Sequence, residues 1–365
     1  MNAQAVAVII AGALTVIGTL AAQYFGRRAT SKQLDRTLGE QRTRTLNERF
    51  ATAADQLGSD KPAVRLAGVY AMAGLADDWG ENRQACVDVL CAYLRMPYES
   101  DPGDAAPGKK RLAVQADREV RHTVIRVITA HLKDGTAVAW QGLNFDFTGV
   151  VFDGGDFSGA RFSGGEVTFR SAEFSGGQVD FSGVRFSGGE VYFRGAEFSG
   201  GQVDFSAAEF SGGRVSFRAA TFSRGRVDFR GAEFSGGTVS FRGAEFSGAQ
   251  VDFSGTGFSG GEEYFDGATF SDGEVSFLRA WFSGGQVYFA GAQFSGGAVH
   301  LVGAGFSGSK VIFDRSDFSG GTVDFSNPGD WSHPPTFPWQ IPSPFWDATQ
   351  PPSVKLPERE DQSRT

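Results

Sequence analysis

The chain has 365 residues, 35 of them Phe and 51 Gly against 6 Trp and 7 Tyr, a skew that points to internal repetition. A formal net charge of −8 argues against a sequence-independent DNA binder, which needs a basic face. The only cysteines, Cys86 and Cys91, lie in one apolar stretch and read as small buried residues rather than a disulfide framework.

In chain order, the first predicted element is a transmembrane helix over residues 3–25. Ala3 to Ala22 carries no charge, with Gln4 and two Thr as its only polar side chains, and it is long enough to cross a hydrocarbon core of about 30 Å. Arg27, Arg28 and Lys32 follow it and no charge precedes it, the reverse of a secretory signal. The positive-inside rule then predicts a single-pass protein of the cell membrane, N-terminus outside and the remainder cytoplasmic. A cleaved signal and a buried core helix are the alternatives. Residues 26–61 read as a juxtamembrane helix, with seven basic and three acidic residues between Arg27 and Arg49. That balance suits either anionic headgroups or simple solvation.

Residues 62–138 read as an α-helical region, a small HEAT-like packing unit. Pro62 starts a helix with Val64, Ala67, Gly68, Ala71 and Leu75 at helical spacing, closed by Trp79-Gly80. Asn82 is placed to cap the next, which carries Val87, Leu90, Cys91 and Leu94 on its apolar side until Pro97 ends it. Ser100 to Lys110 reads as a loop. A last helix, about Val114 to Lys133, presents Val120, Val124, Ile128 and Leu132 at i, i+4 spacing. This unit is expected to join the anchor to the next domain and to cover its first coil.

From residue 139 to 327 the chain is a repeat. Phe147, Phe152, Phe157 and Phe162 recur every five residues. Phe then recurs every twelve: Phe174, Phe186, Phe198, Phe210, Phe222, Phe234, Phe246, Phe258, Phe270, Phe282, Phe294, Phe306 and Phe318. A second series follows seven residues behind, from Phe169 to Phe325, broken only by Leu301. A small residue, usually Ala, stands two before each Phe of the first series, and Val two before each second-series place except at Glu263. Alternation puts both side chains of such a pair on one face of an extended segment, with the intervening polar residue outside. Ser follows every first-series Phe and Gly usually fills the next two places, which suits a corner and excludes a helix. Identical residues stack between coils only if the coil length is a multiple of twelve.

Units such as Ala196-Glu197-Phe198-Ser199-Gly200 and Val203-Asp204-Phe205-Ser206-Ala207 resemble the pentapeptide-repeat family, with two extra residues after every second unit. The resemblance implies an all-β right-handed quadrilateral β-helix with four units per coil. Here that is 5+7+5+7, or 24 residues, and seven to eight coils in a rod of roughly 35 Å at strand spacing. The segments around Glu48-Arg49-Phe50, Leu66-Ala67-Gly68-Val69-Tyr70 and Val87-Asp88-Val89-Leu90-Cys91 are similar to the region between anchor and repeats in bacterial membrane pentapeptide-repeat proteins. Those relatives imply no assigned activity. Some family members mimic B-form DNA and act on type II topoisomerases; residues 143–327 hold 22 acidic and 13 basic side chains, acidic but diluted by arginine.

Residues 328–357, with Trp331, Phe337, Trp339, Phe345 and Trp346 among prolines, read as a cap over the open edge of the last coil. A proline-rich ligand for a partner domain is the alternative. Residues 358–365 read as a disordered tail.

No catalytic set emerges. His122, His131, His300 and His333 are scattered, no phosphate loop is present, and no metal or cofactor is expected. Outward acids such as Glu173, Asp180, Glu197 and Asp204 read as a solvated surface, with Arg170, Arg194, Arg218 and Arg242 interspersed. Two positions depart from the pattern. Glu263 occupies an inward place that is otherwise Val, and a local bulge turning it outward is expected, since a buried carboxylate is costly. A specific binding site there is the alternative. Trp281 replaces an outward polar residue and is the best candidate for a surface contact. The expectation is a non-enzymatic, membrane-anchored interaction scaffold with an unknown protein partner, no nucleic acid and no small-molecule substrate. A DNA-mimicking topoisomerase regulator is the alternative.

Overall fold

The computed structural model describes residues 33, 36–103, 105–340 and 349–358. The expected membrane segment 3–25 lies outside them, as do Phe345, Trp346 and most of the tail. Among the described residues no helix is long and apolar enough to cross a membrane.

Among the described residues four α-helices precede the repeat. Helix α1 runs over residues 36–57, mostly exposed, with Leu46, Ala53 and Leu57 buried. Helices α2 (Pro62–Asp78), α3 (Arg83–Arg95) and α4 (Gly108–Leu132) pack together around Met72, Leu75, Leu90 and Val124. The residues expected to face inward on α3 and α4 do so, all nearly inaccessible. Helix α2 differs. Ala67 and Ala71 are exposed, and Val69, Met72, Ala73 and Ala76 are buried beside Gly68 and Leu75. Small apolar residues surround this helix, so periodicity barely distinguishes its faces; packing against α3 and α4 does. Asn82 makes no side-chain capping bond to α3, and α4 begins at Gly108 rather than near Val114.

The repeat is a β-solenoid of about eight turns. Its strands pair in parallel in two sheets, of 12 and 14 strands. Registers such as Phe162↔Phe186 and Val179↔Val203 give the expected 24-residue coil. The first coil is shorter, pairing Phe152 with Phe174, because three of its four spacings are five. Except where Leu301 interrupts the ladder, Phe stacks on its equivalent one coil away, as in Phe169–Phe193 at 4.6 Å and Phe174–Phe198 at 4.8 Å. Neighbouring ladders meet edge-on, as in Phe181–Phe193 at 6.1 Å and 85°. Both aromatic geometries are therefore used, and burying each ring adds about 2–3 kcal/mol.

Both open ends are closed by hydrogen bonding, which a solenoid needs to avoid templating another strand. At the N-terminal end Arg95 Nη1, Arg121 Nη2 and Thr129 Oγ1 donate to the carbonyls of Asp146, Val151 and Asp156 at 2.9, 3.0 and 2.8 Å. These are the first-coil carbonyls that no earlier coil could reach. At the other end the chain continues the ladder beyond residue 327. Phe337, twelve residues after Phe325, is fully buried and stacks on Phe313 at 5.4 Å, with Trp339 on Phe337 at 4.7 Å. Val323 and Phe325 donate to the carbonyls of Ser353 and Lys355 at 2.9 and 2.8 Å.

Candidate functional site

Because two twelve-residue units make one coil, alternate units share a face. Residues that look interspersed along the chain are thereby gathered into columns. Arg170, Arg194, Arg218 and Arg242 follow one another at one-coil intervals on the first sheet, each linked through backbone bonds to the next turn. Asp180, Asp204, Asp228 and Asp252 stand in register on the second sheet, half a coil away. The middle of the acidic column is internally neutralised. Arg226 and Arg230 both reach Asp228 and Asp252, and the Asp228 carboxyl lies below its usual range, burial being outweighed by its hydrogen bonds to Arg230.

The arginine column carries a groove of about 390 Å³. Its logic lies in the outward residue two places before each arginine. Where that column holds Tyr, the arginine of the preceding coil stacks on the ring: Arg170 over Tyr192 at 4.3 Å and Arg242 over Tyr264 at 4.7 Å. Where it holds Ser216 and Ser240, no ring is present, and Arg194 and Arg218 extend over a gap two coils long. Arg214 borders the other side, and Thr238 completes a hydroxyl floor. Among the described residues Arg194, Arg214 and Arg218 have no carboxylate within 4 Å, whereas Arg242 pairs with Asp266 at 2.8 Å. Tyr192 donates to Glu190 and Tyr264 to Glu262, and these bonds raise both phenols, that of Tyr264 to about 12, so both rings are neutral walls at pH 7.

Glu263 does not bulge outward. It pairs in unbroken register with Val239 and Val287 and is 1% exposed, with Oε2 lacking any hydrogen-bond partner among the described residues. Burial first, and the neighbouring Glu262 second, push its carboxyl up to about 8. The flanking ladder bonds hold the backbone so firmly that the side chain accepts the apolar interior as a neutral acid. Trp281 is half-exposed as expected. It is flanked in register by Gly257 and Gly305, and its indole covers Gly305, where a β-carbon would meet ring atoms 2.5 and 2.6 Å away. Leu278, also exposed, lies on the same corner.

A polar cluster joins helices and rod. Asp153 accepts from Tyr98 Oη and Arg118 Nε, both at 2.6 Å, and lies 3.2 Å from His122 Nε2. Burial opposes its ionisation, but these three bonds bring the carboxyl down to about 2. His131 stacks on Trp140 at 4.0 Å and lies 3.2 Å from Asp77, which also accepts from the Trp140 indole. Both histidines are thus engaged in structural contacts. Among the described residues no group of three or more His, Cys, Asp or Glu could hold a metal ion. The sequence reading missed the groove, although the 24-residue coil together with Ser216 and Ser240 in a column of tyrosines could have located it.

A family profile for pentapeptide repeats (9 copies) matches residues 147–189, the segment where five-residue spacings are most frequent. No curated protein matches the chain, and no solved structure does. Residues 147–189 thus carry matched pentapeptide repeats, and the parallel coil to which they belong runs on as a β-solenoid of about eight turns.

Proposed function

We propose that this protein is a non-enzymatic interaction scaffold, tethered to the cell membrane by residues 3–25 and presenting its rod on the cytoplasmic side. The observation that carries this is that one column of the rod gathers Arg170, Arg194, Arg218 and Arg242 and another, half a coil away, gathers Asp180, Asp204, Asp228 and Asp252. Solenoids recognise partners over extended surfaces rather than in deep pockets, and here the packed Phe ladders leave only the outer columns to vary. The uncharged segment followed by Arg27, Arg28 and Lys32 supports the tether and its orientation.

Photo-crosslinking side chains placed at Thr238 on the arginine face and at Gln250 on the aspartate face test the scaffold in cells. Adducts concentrated on one face are expected. Adducts equal on both faces, or on neither, would sink it. Protease accessibility of a C-terminal tag tests the topology: protection in intact cells with cleavage in inverted vesicles is expected, and cleavage in intact cells overturns it.

The DNA-mimicking alternative draws support from the aspartate column and the acidic balance of the rod. The arginine face and the Asp228–Arg230 pairing weigh against it, since a mimic needs uninterrupted negative charge.

A further inference from the structure

We propose that the groove between Tyr192 and Tyr264 is a binding site for a small ligand carrying two phosphate-type oxyanions. Three features of the groove point to an anion. Arg194, Arg214 and Arg218 converge on one depression with no carboxylate within 4 Å among the described residues, in a chain whose net charge is −8. Neighbouring like charges repel, and an anion bridging them relieves that repulsion. The floor supplies hydroxyl donors from Ser216, Thr238 and Ser240. The ends are blocked by Tyr192 and Tyr264, each held by its own glutamate, so the site has a length as well as a charge.

That length selects the ligand. Tyr192 and Tyr264 are three coils apart, about 14 Å, which leaves two free rungs about 5 Å apart. Arg194 and Arg218 each stand one coil before a free rung, in the relation that Arg170 and Arg242 have to their tyrosines, and both line the groove. A guanidinium binds an oxyanion through a planar fork of two N–H groups, so two such forks suit two neighbouring phosphoryl groups better than one. Arg170 and Arg242 are committed to their tyrosines and act as walls. The same chemistry is offered by a free diphosphate and by a lipid headgroup with two phosphodiesters.

The test is isothermal titration of the full chain in neutral detergent at low salt, with inorganic pyrophosphate as the first probe. The second probe is the deacylated cardiolipin headgroup, two phosphodiesters on a glycerol bridge. Saturable binding of one equivalent is expected, weakened on the order of tenfold or more by the pair Arg194→Ala and Arg218→Ala. Arg224→Ala, which removes one positive charge from an exposed corner outside the groove, is expected to leave it unchanged. Tighter binding of pyrophosphate assigns the site to a free ligand, and tighter binding of the headgroup assigns it to a lipid. All the arginines exchanged are exposed, so unchanged melting temperatures establish that the variants are folded. Absence of saturable heat with either probe overturns the proposal, as does equal weakening by Arg224→Ala or indifference to the double exchange.

Discussion

Replacing Glu263 by Val is the sharpest test of the solenoid's internal energetics. In the folded state its carboxyl is pushed up to about 8, so at pH 7 it is mostly neutral, whereas the unfolded chain ionises it with a value near 4.5. Holding that proton at pH 7 costs about 3 kcal/mol, from 1.36 kcal/mol for each pH unit above the unfolded value. Valine fits the place, since Val239 and Val287 occupy the equivalent positions on either side. Glu263→Val is therefore expected to stabilise by about 3–4 kcal/mol, or roughly 6–8 °C in Tm for a chain of this size. The pH dependence has a definite sign. A raised folded-state value means that this group's contribution is intact below about pH 4.5 and is lost as pH rises towards 8. Calorimetry of wild type and variant across pH 5 to 8.5 reads both effects, and their difference is expected to widen with pH. Glu263→Gln separates charge from polarity: it abolishes the pH dependence but recovers less stability, because an unpaired amide stays buried. A variant no more stable than wild type, or a difference flat with pH, would refute the inward carboxyl.

The two glycine columns are expected to respond differently to one methyl group. At Gly297, φ is +68° and a β-carbon would lie 2.7 Å from the Gly273 carbonyl oxygen, so Gly297→Ala should cost about 3 kcal/mol or more. At Gly291, φ is +64° with open space around it, and Ala219 already holds the same place in its column at φ 53°, so Gly291→Ala should cost only about 1 kcal/mol. Urea denaturation of the pair checks the contrast, and equal costs would remove the inter-coil contact as the cause. Asp153→Asn should destabilise by about 2 kcal/mol at pH 7, because the wild-type carboxyl, held at about 2, contributes stability present above pH 4 and lost as pH falls through 2. The acid limb of a stability–pH curve should flatten in the variant. Cys86 and Cys91 are free and buried, their thiols raised to about 11 and about 12 by desolvation, so thiol reagents should label neither until the protein unfolds.

Much of the rod was legible because its signal is redundant. Phe162 to Phe325 keeps a strict 5+7 spacing, so the pattern alone requires a coil that is a multiple of twelve, and the resemblance to a family with four units per coil set it at 24. Helices α3 and α4 were legible for a similar reason, since large apolar residues at i, i+4 leave one buried face. Helix α2 was legible in its ends, Pro62 and Trp79, but not in its buried face, because Ala and Gly on every side give no stripe. Phe337 hid among prolines although it keeps the twelve-residue step. Glu263 was misplaced because a buried acid looked costlier than a bulge, whereas breaking ladder bonds on both sides costs more than carrying one proton.

The sequence by itself determined the ladders, the coil and the corners, since these depend on local alternation and on like residues meeting like. Only the tertiary structure decided what the outside of the rod presents. Arg194 and Arg218 are separated along the chain by Asp204, yet the coil brings the two arginines together and sends the aspartate to the other sheet. Surface charge is a property of which residues become neighbours between coils, and one-dimensional order mixes what the winding separates.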